Sequence, residues 1–169
     1  MNKEQILKLL TLYENKSNCP KRQVAAILVR PNLGRDWVLE DRNALLRIGT
    51  NCRILPYSDF RCDKCADGYE GFICPAIHAE ADCLIGLAFN ETQHSTLIIS
   101  WSPCPECCKL INRAGIDRLI IKEPRLKLIS KADSKFYGGV KTYDELAEKL
   151  LYNTTYIRLW EQDEDWQVQ

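Results

Sequence analysis

Apolar residues near the start of the chain recur at intervals of three and four: Ile6, Leu7, Leu9, Leu10 and Tyr13. That is the period of one helical face. Asn2 ahead of it and Gln5 at the third helical position make a capping pair, so the chain opens on a helix. From Val24 to Val29 the pattern becomes an unbroken apolar run rich in branched residues, closed by Pro31-Asn32-Leu33-Gly34, which predicts a buried strand and a turn. A second strand is predicted over Ala44 to Gly49, ending at Asn51, while Arg35 to Asn43 shows no assignable period. Between Cys52 and Pro75 periodicity disappears and cysteines collect, which reads as a loop. Ala81, Leu84, Ile85, Leu87 and Ala88 then fit one face of a helix from His78 to about Asn90. Thr96 to Trp101 is a third buried strand, and Pro105 opens a helix that runs through Leu110 and Ile111 and stops at Gly115. Leu119 to Ile121 is a fourth strand, Thr142-Tyr143-Asp144-Glu145 a capping box for a helix through Leu151, and Thr155 to Leu159 a fifth strand. A helix between the last two strands makes their pairing parallel, so the fold class is α/β with a five-stranded mixed sheet.

At 169 residues the chain suits one domain, 1–169, with a core over about 19–160 and an acidic tail over 161–169. Its 23 basic and 23 acidic side chains cancel. A balanced charge supplies no broad basic field for a nucleic-acid polymer, which favours a small substrate. No apolar run approaches the roughly 20 residues that span a bilayer, and no signal-peptide pattern opens the chain, so a cytoplasmic setting without membrane contact is expected. Nine cysteines in that setting suit metal ligands and buried thiols better than disulfides, and the odd number agrees.

Two short stretches carry the chemistry: His78-Ala79-Glu80 and Ser102-Pro103-Cys104-Pro105-Glu106-Cys107, with 25 residues between His78 and Cys104. An imidazole and two thiolates suit Zn²⁺, and three protein ligands leave a fourth tetrahedral position open, which points to catalysis. Glu80 is too close in sequence to share the coordination of His78 comfortably, but is well placed to handle a proton. A lone Cys-x-x-Cys would equally suit a redox pair or half of a structural zinc knuckle. Here both halves and both prolines would have to coincide. The order His-x-Glu, then Pro-Cys-x-x-Cys, is the signature of zinc nucleobase deaminases. Cys62-x-x-Cys65 with Cys74 has the spacing of a second, structural zinc site. Cys83 and Cys108 read as buried thiols.

With these motifs on a five-stranded sheet, the chain resembles the cytidine deaminase superfamily, and within it the deoxycytidylate deaminases. The resemblance rests on Cys19-Pro20-Lys21-Arg22-Gln23-Val24, Ile48-Gly49-Thr50-Asn51, Cys74, the two zinc stretches, and Ala114-Gly115-Ile116. It departs at Gly49-Thr50-Asn51-Cys52, where the family usually reads Gly-Tyr-Asn-Gly, and at Asp82, where it has Asn. The resemblance implies a three-layer α/β/α fold and hydrolytic deamination of dCMP to dUMP. A zinc held by His78, Cys104 and Cys107 would make a water acidic, and Glu80 would carry protons to N3 and then to the leaving amine. It implies that Asn51 holds the substrate, that Lys21 and Arg22 meet its phosphate, and that Trp101 and Ser102 line its site. It further implies a homo-oligomer, most simply a hexamer, and Cys19 as fourth ligand of the second zinc, with Cys52 the alternative. Trp101 and a basic run from Arg118 to Lys135 suit deamination within a polynucleotide instead. A non-catalytic zinc-stapled binding module is a third reading, and Glu80 separates it, because a structural site would close its fourth position with a ligand.

Overall fold

The computed structural model describes residues 2–17, 19, 22–30, 45–53 and 76–163. Helix α1 (Lys3–Glu14) begins as its sequence requires: Asn2 accepts from the Gln5 N–H at 2.9 Å and Gln5 accepts from the Asn2 N–H at 2.9 Å. Ile6 and Leu10, four residues apart, are its buried contacts. The strands are β1 (Ala25–Val29), β2 (Leu45–Thr50), β3 (Cys52–Arg53), β4 (Ala76–Ile77), β5 (Thr96–Trp101), β6 (Arg118–Glu123) and β7 (Thr155–Arg158). Five of them form the central sheet in the order β2-β1-β5-β6-β7, and β3 pairs with β4 in a short antiparallel ribbon. Strand β1 is antiparallel to β2 and β5, whereas β5, β6 and β7 run parallel. The parallel final pair is as the intervening helix demands.

Alternate residues of the strands feed the two faces. Ala26, Leu28, Leu97, Ile99, Leu119 and Ile121 pack with Ala79, Cys83, Cys108, Ile111 and Ala147 from helices on one side. Ala25, Ile27, Val29, Ile98 and Ile120 pack with Ile6 and Leu10 of α1 on the other. The result is three layers, α/β/α, and burial on both faces explains why these strands read as continuous apolar runs.

Helix α2 (Ala79–Leu84) is shorter than the periodicity predicts. Ile85 turns to an extended backbone, Gly86 takes a positive φ of 82°, and a separate helix α3 (Phe89–Thr92) follows. The apolar period continues across the break because Leu84 and Leu87 still reach the core, while Ile85 is left 56% exposed. Helix α4 (Pro105–Arg113) starts at Pro105 as predicted, and α5 (Lys131–Phe136) occupies a stretch with no predicted element. Helix α6 (Tyr143–Leu150) is capped by Thr142, which accepts the Glu145 N–H at 3.2 Å. The expected reciprocal bond is replaced: the Glu145 carboxylate accepts the Lys141 N–H at 2.7 Å instead.

Gly49 positions the site. A Cβ there would stand 2.2 Å from the Ala79 carbonyl and 2.4 Å from the Cys83 nitrogen, so only glycine lets α2 cross β2 this closely. That crossing fixes the N-terminus of α2 and the His78 that precedes it.

Candidate active site

His78 is the residue before α2, Cys104 the residue before α4, and Cys107 lies in the first turn of α4. The two helices start beside each other because β1 and β5 are neighbours in the sheet and both helices lie on the same face. Both sulfurs stand 3.4 Å from His78 Nδ1. The three donor atoms lie within 4.8 Å of one another. In an ideal zinc tetrahedron with Zn–S near 2.3 Å and Zn–N near 2.1 Å, sulfur and nitrogen would be about 3.6 Å apart, so the donor set fits zinc in type and spacing. The remaining thiols on these helices, Cys83 and Cys108, are buried among apolar side chains, and burial pushes both up to about 12.

A hydrogen bond from Cys107, with those of His78 and the Cys107 N–H, brings the Cys104 thiol down against the opposing effect of burial. Cys107 is pushed up by the same hydrogen bond and by burial. His78 is raised by its hydrogen bond to Cys104, against the opposing effects of burial and of the Arg125 charge. Glu80 is 5% exposed, and burial, reinforced by the negative Cys104, holds its carboxyl above the ordinary value. A raised carboxyl beside a candidate metal-ligand triad is suited to accept and return protons.

These residues open into a cavity of about 730 Å³ lined by Arg22, Asn51, His78, Glu80, Trp101, Ser102, Cys104 and the segment 124–127. Of the residues expected in the substrate site, Arg22, Asn51, Trp101 and Ser102 are therefore gathered here. The Asn51 amide is already engaged: its oxygen accepts from Val24 N–H at 2.7 Å and from the Ser17 hydroxyl at 2.6 Å, and its nitrogen donates to the Arg22 carbonyl at 2.7 Å. It fixes the cavity wall from behind. The Arg22 guanidinium covers the Trp101 ring at 3.6 Å, so a cation already occupies that face of the indole. The Ser102 hydroxyl is turned away from the cavity to Asp144. Lys21, Cys62, Cys65 and Cys74 lie outside the described residues, and Cys19 is a half-buried free thiol.

Sequence reading missed Arg125 and Lys127 as cavity residues and placed them only in a basic run. Parallel pairing of β5 with β6, in which Trp101 sits opposite Glu123, carries 124–127 to the same edge as Ser102–Cys104. The signal available was the shared C-terminal end of two parallel strands, where open α/β sheets place their ligands. The basic run itself is divided: Lys122 is paired with Glu14 at 2.8 Å on the α1 face.

A three-layer α/β/α sheet that brings one imidazole, two thiols and a buried carboxyl to the edge of a deep cavity defines the zinc-dependent deaminase class. The chain belongs to the family described as the cytidine and deoxycytidylate deaminase zinc-binding region, whose model matches residues 1–123. It is 29% identical over 120 residues to a deoxycytidylate deaminase of Saccharomyces cerevisiae, covering 69% of this chain and 36% of the relative. It is 25% identical over 129 residues to a deoxycytidylate deaminase of Mycobacterium phage D29, covering 69% of this chain and 91% of the relative. The chain thus spans about a third of the yeast relative and most of the phage one. Among solved structures, the dCMP deaminase of cyanophage S-TIM5 shares the fold, with a TM-score of 0.55, 21% identity, and coverage of 92% of this chain and 95% of that one. No helix among the described residues is long and apolar enough to cross a membrane.

Proposed function

We propose that this protein hydrolytically deaminates dCMP to dUMP. The observation that carries the reading is Glu80, a 5% exposed carboxyl set beside the His78–Cys104–Cys107 triad at the base of a nucleotide-sized cavity. A structural zinc site has no use for it. His78, Cys104 and Cys107 hold the catalytic zinc, which when bound supplies a Lewis acid that lowers the pKa of water toward neutrality. Glu80 takes one proton of the water that attacks C4 and delivers it to N3 of the pyrimidine; it then takes the remaining proton of the new C4 hydroxyl and passes it to the amine, so that the C4–N bond breaks, ammonia leaves and C4 becomes a carbonyl. The raised Glu80 carboxyl suits both halves of that exchange. Asn51 holds the wall on which the sugar rests. Arg22, Arg125 and Lys127 line the cavity and supply positive charge for a single phosphate, with Lys21 the neighbouring candidate. The relatives' names support the same substrate.

A second, structural zinc on Cys62, Cys65, Cys74 and Cys19 belongs to this reading, as do a homo-oligomer, a hexamer by resemblance, and a cytoplasmic setting. Ammonia release from dCMP, CMP, dCTP, deoxycytidine and single-stranded oligonucleotide tests the assignment. Turnover of dCMP well above deoxycytidine is expected. Equal turnover of the nucleoside, or turnover of oligonucleotide alone, would remove the assignment.

A further inference from the structure

Asp144, in the first turn of α6, is a 5% exposed side chain far from the metal triad in sequence, yet every contact it makes leads to the cavity wall or anchors the helix that holds it. Its carboxylate accepts the Ser102 hydroxyl, the Tyr156 hydroxyl at 2.8 Å and Arg158 Nε at 2.9 Å. The Ser102 oxygen, with its own proton committed to Asp144, accepts the Arg125 N–H at 3.0 Å. The main-chain N–H of Asp144 donates to the Arg125 carbonyl at 3.2 Å, and that of Tyr143 to the Lys127 carbonyl at 3.1 Å. The first N–H groups of a helix have no partner within it, and here two of them are satisfied by the cavity wall. Both sides of Arg125 are therefore tied to one residue: its carbonyl directly, and its N–H through Ser102.

The geometry points to Asp144 as a positioning residue for the substrate cavity: by orienting the Ser102 hydroxyl it fixes the backbone at Arg125 and with it the wall 124–127. A serine hydroxyl can rotate and donate in any direction. A buried carboxylate beside it dictates that the proton points to Asp144 and the lone pair to Arg125. Tyr156 and Arg158 bind the same carboxylate from β7, Tyr156 on the oxygen that also takes the Ser102 proton and Arg158 on the other. Arg158 is in turn held by Glu148 at 2.6 Å. The wall carries two of the cations assigned above to the phosphate, so the kinetic part of this inference rests on the proposed reaction. The backbone part does not.

The test measures KM and kcat for dCMP in Ser102→Ala, Asp144→Ala and the double variant, with Arg158→Met and Glu148→Gln as controls. Each single loss in the relay should raise KM about tenfold, the scale of one hydrogen bond to a charged group, with kcat within about threefold. The double variant should be no worse than either single one, because both break the same link. The controls should lower the melting temperature and leave KM within about twofold. Should Asp144→Ala not fold because Arg158 loses its buried partner, the same substitution in the Arg158→Met background removes that charge. Exchange of the Arg125 amide hydrogen should accelerate at least about tenfold in the relay variants and not in the controls. Additive KM effects, an unchanged KM on loss of Asp144, or equal acceleration of Arg125 exchange in Arg158→Met would overturn the inference. If the wild-type protein does not turn over dCMP, the proposed reaction fails, and the Arg125 exchange comparison alone decides the positioning role.

Discussion

The Asp82 carboxylate on α2 accepts the Thr50 N–H at the end of β2, at 3.0 Å. The family resemblance leads one to expect Asn at this position, and either side chain offers an oxygen to that N–H. The carboxylate thereby has a structural partner at the strand end. Asp82→Asn should alter stability by less than about 0.5 kcal/mol and leave the dCMP KM within about twofold, whereas Asp82→Ala should cost about 1–2 kcal/mol in urea denaturation.

Glu80→Ala removes the proposed proton carrier and leaves His78, Cys104 and Cys107 in place. Zinc content and the melting transition should stay near wild type while turnover falls by at least about a hundredfold, the lower range of general acid–base catalysis. Metal analysis beside the rate assay checks both. Loss of zinc in this variant would make Glu80 a structural residue.

The pH dependence of the metal-free protein follows from the same side chain. Burial raises Glu80 above its model-compound value of 4.5. A group bound more tightly to its proton in the folded state contributes stability that is present below the unfolded value and is lost as pH rises through the folded one. Glu80→Gln, which cannot ionise, should therefore be more stable than wild type near neutral pH after chelation, on the order of 1–3 kcal/mol. The advantage should close on acidification toward 4.5. Urea midpoints across this range decide it, and a gap that widens on acidification would reverse the sign.

Gly49→Ala forces a methyl into the backbone of α2 at Ala79 and Cys83. Helix α2 has no soft side chain at that contact to give way, so the helix itself must move and carry His78 with it. A loss of about 1–3 kcal/mol is expected, with weakened zinc retention in competition against a chelator. Unchanged zinc affinity would show that His78 is positioned independently of the crossing.

Protein purified without added zinc should contain about two zinc per chain if the cysteine-rich stretch holds the structural ion. Cys62→Ser should then lose one zinc and stability while turnover persists, and Cys104→Ser should lose the other and all turnover. A content near one, unchanged by Cys62→Ser, removes the second site.

The sequence by itself singled out His78, Cys104 and Cys107 as candidate donors, Glu80 beside them and the strands that carry them, because each is a local pattern. His-x-Glu and Cys-x-x-Cys are short, capping residues act within one turn, and a strand buried on both faces must be apolar throughout. It also determined the parallel final pair, since a helix intervenes. What only the tertiary structure decided is how distant positions meet. The register of β5 with β6 sets Arg125 against Ser102, and α6 returns Asp144 beneath them, 42 residues from Ser102 in the chain. The crossing at Gly49 brings Asp82 to Thr50, and packing of α2 on the sheet leaves Glu80 buried and its carboxyl raised. The break after α2 was equally hidden, because Leu84 and Leu87 keep a helical spacing through a segment whose backbone is no longer helical. Periodicity records which residues are buried, and burial is shared between elements that the chain joins only by folding.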